Sequence, residues 1–577
     1  MQRKSSSSVE TKTQEHSAAT FAERTGLQAA GRAFTASECL ATTVAYYQCL
    51  WHFSRGGRLR DCRFFCEPKL GNEARHAAQL HLFSLCLVFR LWDRPHYRCG
   101  SFGEDLRVNL RNVALPGTGV PLAFVCISKW TFMFFLLFLY PLVCFVAAFA
   151  VWAVEQQQEA DGTSTGGTGG EARTSPPRTT SSSSGRNYRG DGKSGKTWKA
   201  VWEKAQICLR EVCILYQGNL VTPDTWFTWW RLNCALATYH SCLTLSDEYL
   251  MENKWDFLQK CHAKQVPITP CVGLGYHLVQ QQESGKPAVP VALDTLVCKD
   301  KNEEGGMGIH FFKNAATGGN WILQAKLQNA SCLQCLLPEP CPLSTFRVLT
   351  ASEASMTSAE QPQDHGAGSS SPKVHILTCV FRAGRQHAKT DHRSIFYNVN
   401  LSPEHGKKGR ITRGAINSHW YQLGGTVFQT ASGKEGCFTK AGVFRRGFAS
   451  KAAGVSVHPD SGLRMVGLEV PEIDSVLAVC ERAHRELCPH VPLVGWDVAL
   501  VDEDVGENHT ATKPVLLEAN LSCNFFLGDF DRTLYLDYMR RNFMYLEERE
   551  NAAGARLLEK EDKERKTLQG KEGKKHA

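Results

Sequence analysis

The chain lacks several features that would assign a function at once. It has neither a Walker loop nor a dinucleotide-binding fingerprint, because no helix is predicted after its glycine-rich turn at 305–308. Its net charge of +9 is modest for 577 residues, and the scattered basic residues argue against a nucleic-acid partner. No apolar signal-peptide core follows the first basic residues, and three glutamates before residue 25 are atypical of a transit peptide.

The 23 cysteines form no regular disulfide framework. Their number is odd, and many lie in apolar runs, where a thiol behaves as a small hydrophobic side chain. Cys332 and Cys335, with Cys341 nearby, have a spacing found in zinc sites. Because no second pair and no histidine pair follow them, ordinary reduced cysteines are favoured over a structural zinc site.

One long uncharged segment, from Thr131 to Val154, predicts a membrane partner. It is dominated by Phe, Leu, Val and Ala and is long enough to cross a bilayer as a helix. Trp130 and Trp152 lie near its ends, where interfacial aromatic residues are common. We therefore expect a single transmembrane helix at 131–154; a buried core helix and a hydrophobic hairpin are the alternatives.

Composition divides the rest of the chain. Residues 1–35 are polar and are predicted to be disordered, 36–117 have no assignable function, and 155–197 form a flexible Gly/Ser/Thr-rich linker. Residues 198–290 have helical apolar spacing, short β-rich runs dominate 291–550, and 551–577 form a charged tail. Helices and strands mix without strict alternation, which predicts an α+β fold.

Two carboxylates near the end of the chain lie inside apolar runs. Asp497 and Glu518 each belong to a predicted buried strand, and the polar loop between the two runs predicts a hairpin. Glu518 and Asn520 are two residues apart, so they share one face of their strand. These oxygen ligands suit Mg²⁺ beside a phosphate. Pairing of the acids with basic residues elsewhere explains the pattern equally well.

Basic residues also end predicted strands. Lys299 precedes the turn that contains Gly305, Gly306 and Gly308, and such a turn allows backbone N–H groups to approach phosphate. A plain hairpin turn is the alternative. Arg347 and Arg382 lie in or at the end of strands, where a buried guanidinium needs phosphate or carboxylate as its partner. A salt bridge within the protein is therefore as good an explanation of the arginines as a bound phosphate.

The order of these motifs resembles the ATP-grasp superfamily over residues 245–545. The closest resemblance is to its sugar-transfer-associated branch, which is related to α-L-glutamate ligases. The segments that carry the resemblance are ENKW (252–255), LSTFRVLT (343–350), TDHRSIF (390–396), GWDVAL (495–500) and LEANLSCNFF (517–526).

The resemblance implies two α+β lobes that clasp ATP, with the ATP-grasp domain at 291–550. It also assigns roles to single residues. These are nucleotide binding by Lys254, Lys299, Gly305, Gly306, Gly308 and Gln324, Mg²⁺ binding by Asp497, Glu518 and Asn520, and catalysis by Arg347 and Arg382. Lys299 and the glycines would contact the phosphates, and the segment around Gln324 would meet the adenine.

The implied activity is that of a membrane-tethered, Mg²⁺- and ATP-dependent ligase. Family ligases phosphorylate a carboxylate, and an amine then attacks the acyl phosphate. The substrates would be small-molecule, peptide-linked or sugar-linked carboxylates and amines. The alternatives are a phosphotransferase acting on a hydroxyl group and an inactive nucleotide-binding scaffold. The need for nucleotide favours a cytosolic catalytic region, although the charges that flank the apolar segment slightly favour a secretory lumen.

Overall fold

The computed structural model of the chain describes the main helices and strands of the C-terminal half and part of the region before them. The described residues are 83–98, 100–110, 126–135, 226–274, 296–300, 309–311, 321–357, 373–388, 394–402, 406–415, 455–504, 510–525 and 528–573, with eight isolated residues between 48 and 123. The predicted disordered segment at 1–35 and the predicted linker at 155–197 lie outside them.

Within these residues the structure is partly α+β, with two antiparallel sheets. The strands are β1 (Cys271–Leu274), β2 (Leu296–Asp300), β3 (Ile309–Phe311), β4 (Trp321–Ala325), β5 (Thr345–Ser352), β6 (Val374–Ala383), β7 (Ile395–Val399), β8 (Ile411–Ala415), β9 (Leu493–Asp504) and β10 (Thr510–Asn520). The larger sheet has six strands in the order β10-β9-β5-β6-β7-β8. The smaller sheet has four, in the order β1-β4-β2-β3.

Helices pack on both faces of the larger sheet. They are α1 (Phe102–Leu110), α2 (Lys129–Phe134), α3 (Trp226–Thr244), α4 (Lys254–Ala263), α5 (Ser331–Gln334), α6 (Ile473–Leu487) and α7 (Arg532–Gly573), with 3₁₀ turns at Asp247–Glu252 and Glu353–Met356. The last helix, α7, continues through the charged residues after 550.

The face of the larger sheet that packs on α6 forms its main core. The apolar spacing of 476–487 predicts an amphipathic helix, and the structure confirms it, because the predicted residues are buried against β5, β6, β9 and β10. Along β9, Trp496 and Val498 point into this core. Asp497 and Ala499 therefore point to the opposite face.

A second core joins the N-terminal region to the C-terminal helix. Residues 83–91 are helical and pack with α1, α2, α3 and α7 in one apolar cluster. Edge-to-face aromatic contacts link these elements, for example Phe83 with Phe543 and Trp229 with Tyr535. Part of the region that the sequence left without a function is thus built into the same body as the predicted catalytic region.

The predicted transmembrane helix requires correction. The apolar segment begins in α2, a helix of six residues, where Phe132 and Met133 are buried in the second core. The Phe132 ring lies 5.6 Å from that of Trp92. Among the described residues, no helix is both long and apolar enough to cross a membrane. The prediction of a fold preceded by a membrane span is therefore wrong, since these apolar side chains pack against protein. Residues 136–154 are not among the described residues.

The smaller sheet is joined to the edge of the larger one through the segment before β1. The Leu516 amide donates to the carbonyl of Pro267 at 3.0 Å, and the Thr269 amide donates to the carbonyl of Leu516 at 3.1 Å. Ile322 of β4 packs on Leu258 of α4. These contacts place β2 and β4 beside the end of β10.

A buried histidine connects α6 to the strands beneath it. The Thr350 hydroxyl accepts from Trp496 Nε1 at 2.8 Å and donates to His484 Nδ1 at 2.6 Å. His484 Nε2 donates to the carbonyl of Val491 at 2.9 Å. Both ring nitrogens are therefore satisfied by the neutral form, and burial lowers the pKa of His484 to about 4.

We expect this histidine to make the fold sensitive to acid. Its pKa in the folded state is below the ordinary value of 6.5, so the unfolded chain binds a proton first as the pH falls. Stability is fully present above pH 6.5 and decreases towards pH 4, by about 2 kcal/mol near pH 5. Burial also lowers the pKa values of His96 and His240, so the contribution of His484 is the difference between the losses of the wild type and of His484→Gln. Denaturant unfolding at about pH 7 and about pH 5 measures both losses. His484→Gln should reduce the loss, whereas the exposed His262→Gln should not; equal losses in both variants would contradict the prediction.

Candidate functional site

Charged side chains form a row across neighbouring strands on the face of the larger sheet that is turned away from α6. Arg347 of β5 lies opposite Asp497 of β9, and Asp497 lies opposite Glu518 of β10. Arg382 lies near the end of β6, two residues after Val380, which is paired with Arg347. Because opposed residues of antiparallel strands share a face, all four side chains meet. Residues distant in sequence thus form one cluster.

The centre of the row is a buried ion pair between Arg347 and Asp497. Arg347 Nε donates to Asp497 Oδ1 at 2.6 Å, and Nη2 donates to Oδ2 at 2.9 Å. Arg382 Nη1 donates to the same Oδ2 at 3.4 Å. The side chains of the pair are only 5% and 7% exposed. The sequence allowed either a salt bridge within the protein or a bound phosphate as the partner of the arginines. The structure shows a salt bridge.

A β-bulge decides where Glu518 points. Leu516 lies opposite Val498, but Glu518, rather than Leu517, lies opposite Asp497. In a regular ladder Glu518 would oppose Trp496 and point into the core under α6. The bulge at Leu517 therefore brings the second carboxylate to the face that carries the first.

Asn520 completes the carboxylate end of the row. Its Nδ2 donates to Glu518 Oε1 at 3.4 Å and to the carbonyl of Gly495 at 3.5 Å. As predicted from their spacing, Glu518 and Asn520 lie on the same side of β10. The three predicted metal ligands are therefore neighbours, and the Asn520 amide turns its nitrogen towards the Glu518 carboxylate.

Gly495 makes room for the arginine. A Cβ atom placed on Gly495 would lie 2.7 Å from the Cβ of Cys523 and 3.0 Å from Arg347 Nη1. Both distances are too short for ordinary packing. The absence of a side chain at this position lets the guanidinium cross the strand and reach Asp497.

Two lysines bring further positive charge to Glu518. Lys254 begins α4, whose N-terminus is capped by Asn253, and Lys299 belongs to β2. Burial by itself would raise the pKa of the Glu518 carboxyl. The positive charges of Lys254, Lys299 and Arg347 outweigh burial and hold the pKa of this carboxyl below its ordinary value. Glu518 is therefore ionised at neutral pH.

A cavity of about 420 Å³ opens beside this cluster, between the two sheets. Its lining includes Val297, Lys299, Lys326, Asn329, Thr345 and Leu517. A volume of this size falls in the range of small-ligand pockets. Leu517 directly precedes Glu518, and Thr345 lies two residues before Arg347 on the same strand. The cavity therefore leads directly to the charged row.

Gln324 lies on β4 at the wall of the smaller sheet. It opposes Val297, which lines the cavity, and it shares that face with Lys299. The side chain is 3% exposed, and its Oε1 has no hydrogen-bond partner within the described part of the chain. A buried acceptor without a donor is unfavourable, so this atom has an unused capacity for a ligand N–H group.

The structure gathers most of the residues that the sequence singled out. Seven lie in the charged cluster: Lys254, Lys299, Arg347, Arg382, Asp497, Glu518 and Asn520. The predicted phosphate-covering residues Gly305, Gly306 and Gly308 lie outside the described residues. Sequence reasoning missed Lys326 at the cavity; its position directly after β4 in the predicted adenine-binding segment was the signal that could have identified it.

The cluster has the chemistry of an anion site with oxygen ligands at one end. Four basic side chains are gathered with two carboxylates, so positive charge is in excess. The described ranges contain no group of three or more His, Cys, Asp and Glu side chains arranged to hold a metal. Two carboxylates and one amide oxygen nevertheless fit the preference of Mg²⁺, although the arginines already bind both oxygens of Asp497.

Comparisons with known proteins add no family assignment. No protein-family model matches the chain, and no curated protein matches it. The interpretation of the site therefore depends on its geometry and on the motifs in the sequence.

The close approach of Arg347 to Gly495 predicts opposite effects of one substitution at two glycines. Gly495→Ala should lower the free energy of unfolding by about 1–3 kcal/mol, because the new methyl group collides with Cys523 and Arg347. Gly554→Ala, in α7 with no atom near its side-chain position, should raise it by about 0.5–1 kcal/mol. Denaturant titrations of both variants measure these changes; unchanged stability of Gly495→Ala would show that the arginine has room to move aside.

Proposed function

We propose that the chain is an Mg²⁺- and ATP-dependent ligase of the ATP-grasp type, which activates a carboxylate for attack by an amine. The observation that carries this proposal is the junction of the charged row with the cavity between two antiparallel sheets. The motifs that resemble the superfamily come from five separate segments of the chain. In the structure, the residues with assigned roles converge on that junction wherever they are described.

The electrostatics of the junction suit a nucleoside triphosphate. The surplus of positive charge favours a polyanion, and Lys299 lies both at the cavity and near Glu518. Lys254 faces the same carboxylate from α4. The triphosphate would lie between these lysines and the arginines, with the base in the cavity. The unused Oε1 of Gln324 would then accept a hydrogen bond from the amino group of adenine.

The carboxylate end would hold the metal ion. Glu518, Asn520 and Asp497 supply hard oxygen ligands, and Glu518 is already ionised. Bound there, Mg²⁺ would offset negative charge on the phosphates during transfer. Asp497 is engaged by Arg347 on both oxygens, so a metal ion would share this carboxylate with the arginine. Phosphate is a competing partner for that guanidinium, so nucleotide should favour metal binding.

The two arginines would act on the reacting groups. A guanidinium fork binds two oxygens of a phosphoryl or carboxylate group at once, which holds the acceptor in line and stabilises charge in the transition state. Phosphorylation of the acceptor carboxylate supplies a leaving group, and the amine then displaces phosphate. Dependence of ADP release on an added amine separates this reaction from phosphate transfer to a hydroxyl group.

The first test of the proposal is ligand-dependent stability of the full chain. Mg²⁺ with ATP should stabilise the wild type by about 2.7 kcal/mol at a hundredfold excess over the dissociation constant. Either ligand alone should have a smaller effect. Glu518→Gln should lose most of the combined effect, because it removes a metal charge and keeps the shape. Glu503→Gln, which alters a surface pair with Lys513 on the same hairpin, is the matched control and should respond like the wild type.

Calorimetric or fluorescence melting curves give these shifts. An undiminished response of Glu518→Gln would remove this residue from the metal site. If the wild type did not respond to Mg²⁺ and ATP at all, the proposed function would be wrong.

The second test concerns Arg347. Arg347→Lys should keep nucleotide binding but lose turnover by more than about tenfold, because a point charge does not replace a bidentate fork at the transferring group. ADP release, screened with carboxylate and amine libraries, measures the change. Turnover within about threefold of the wild type would assign Arg347 a structural role in the sheet.

A further inference from the structure

The turn that follows Asn520 is held by side chains from elements distant in sequence. The Leu521 amide donates to Glu252 Oε1 at 3.3 Å. The hydroxyl of Ser522 lies 2.7 Å from that of Tyr97. On the other side, Asn233 Nδ2 donates to the carbonyl of Cys523 at 2.9 Å. The end of β10 is therefore fixed from outside the sheet.

Arg98 holds the carboxylate at the centre of these contacts. Its Nη1 donates to Glu252 Oε1 at 3.4 Å, and its Nε donates to Asp105 Oδ1 at 2.9 Å. The side chains of Glu252 and Asp105 are 7% and 4% exposed. Burial raises the pKa of the Glu252 carboxyl, and the charge of Arg98 and a hydrogen bond with Tyr97 only partly offset this rise. Arg98 thus pairs with two buried carboxylates at once.

Glu252 has a position that connects two parts of the candidate site. It ends the 3₁₀ turn and lies two residues before Lys254, which interacts with Glu518. Through the Leu521 amide it also holds the residue next to Asn520. A single carboxylate therefore ties the start of α4 to the end of β10. A shift of Glu252 would move a cation and a predicted metal ligand together.

We propose that Tyr97 and Arg98 are positioning residues of the catalytic site, which act through Glu252 and the turn at 521–522 to hold Lys254 and Asn520 in place. This inference rests on the proposed function. It assigns a role to an N-terminal segment that lies outside the two lobes implied by the sequence motifs. The segment does not touch the reacting groups; it sets the geometry of residues that would do so.

A pair of Glu→Gln variants in the full-length chain tests this role. Glu252→Gln removes the charge that Arg98 holds near the site. Glu550→Gln is the matched control, because Glu550 also binds the N-terminal segment, through Arg90 and Arg94, but joins it to α7. Both variants should unfold at a lower temperature than the wild type. Tyr97→Phe, which removes a single hydroxyl group, keeps the test available if Glu252→Gln does not fold.

Two readouts separate positioning from general stability. The concentration of Mg²⁺ and ATP that gives half of the maximal stabilisation should rise about tenfold or more in Glu252→Gln. Loss of a residue that orients a metal ligand typically weakens binding to this extent. It should stay within about twofold of the wild type in Glu550→Gln. In the ligand-free protein, hydrogen exchange of the backbone at 516–524 should be faster in Glu252→Gln or Tyr97→Phe and unchanged in Glu550→Gln.

Each outcome decides the proposal. The proposal is supported if exchange is faster and ligand binding is weaker in Glu252→Gln and Tyr97→Phe but not in Glu550→Gln. A lower unfolding temperature with unchanged exchange and unchanged ligand binding overturns it and leaves Arg98 as an ordinary structural residue. A wild type without any response to Mg²⁺ and ATP counts against the proposed function. The hydrogen-exchange comparison at 516–524 then still decides whether the N-terminal segment holds the end of β10 in place.

Discussion

The buried ion pair between Arg347 and Asp497 is the interaction on which the candidate site depends. Removing either charge would leave the other only partly compensated in a largely buried place, which is unfavourable. The surrounding structure accommodates the pair through the missing side chain at Gly495 and the shared contact of Arg382. A hydrophobic pair would fill the same space without such demands, so the pair is better explained by chemistry than by stability.

Helices pack on both faces of the larger sheet, but the charged row lies on only one of them. One face has apolar side chains at alternate positions and is covered by α6. The other has the charged row, which continues into the cavity beside the smaller sheet. The rigid, packed face holds the strands in register, and the register in turn fixes which charged residues meet. Side chains on neighbouring strands of such a sheet are held more precisely than side chains on loops.

The N-terminal region changes how the molecule divides into parts. Its described residues share a core with α3 and α7 and send Arg98 to Glu252, close to the end of β10. A fragment without them would expose apolar surface on α3 and α7 and leave Glu252 buried without its cation. The full chain is therefore the proper object of experiments on the site.

Much of the local structure followed from sequence patterns alone. Two apolar runs joined by a polar loop identified the β9–β10 hairpin, and helical apolar spacing identified the buried face of α6. Carboxylates and arginines inside apolar runs were recognised as residues that need partners. Their partners were not determined, since a salt bridge and a bound ligand satisfy a buried charge equally well at the level of sequence.

Tertiary structure decided the rest. The apolar residues that open the segment at 131–154 have the composition of a membrane helix, and only the contact of Phe132 with Trp92 shows that they pack on protein. The bulge at Leu517 reverses the side of the strand on which Glu518 lies, and alternation alone does not reveal it. The pairing of Arg98 with Glu252 joins residues more than a hundred positions apart in the sequence. No local sequence pattern predicts such a contact, so it depends on how the cores assemble.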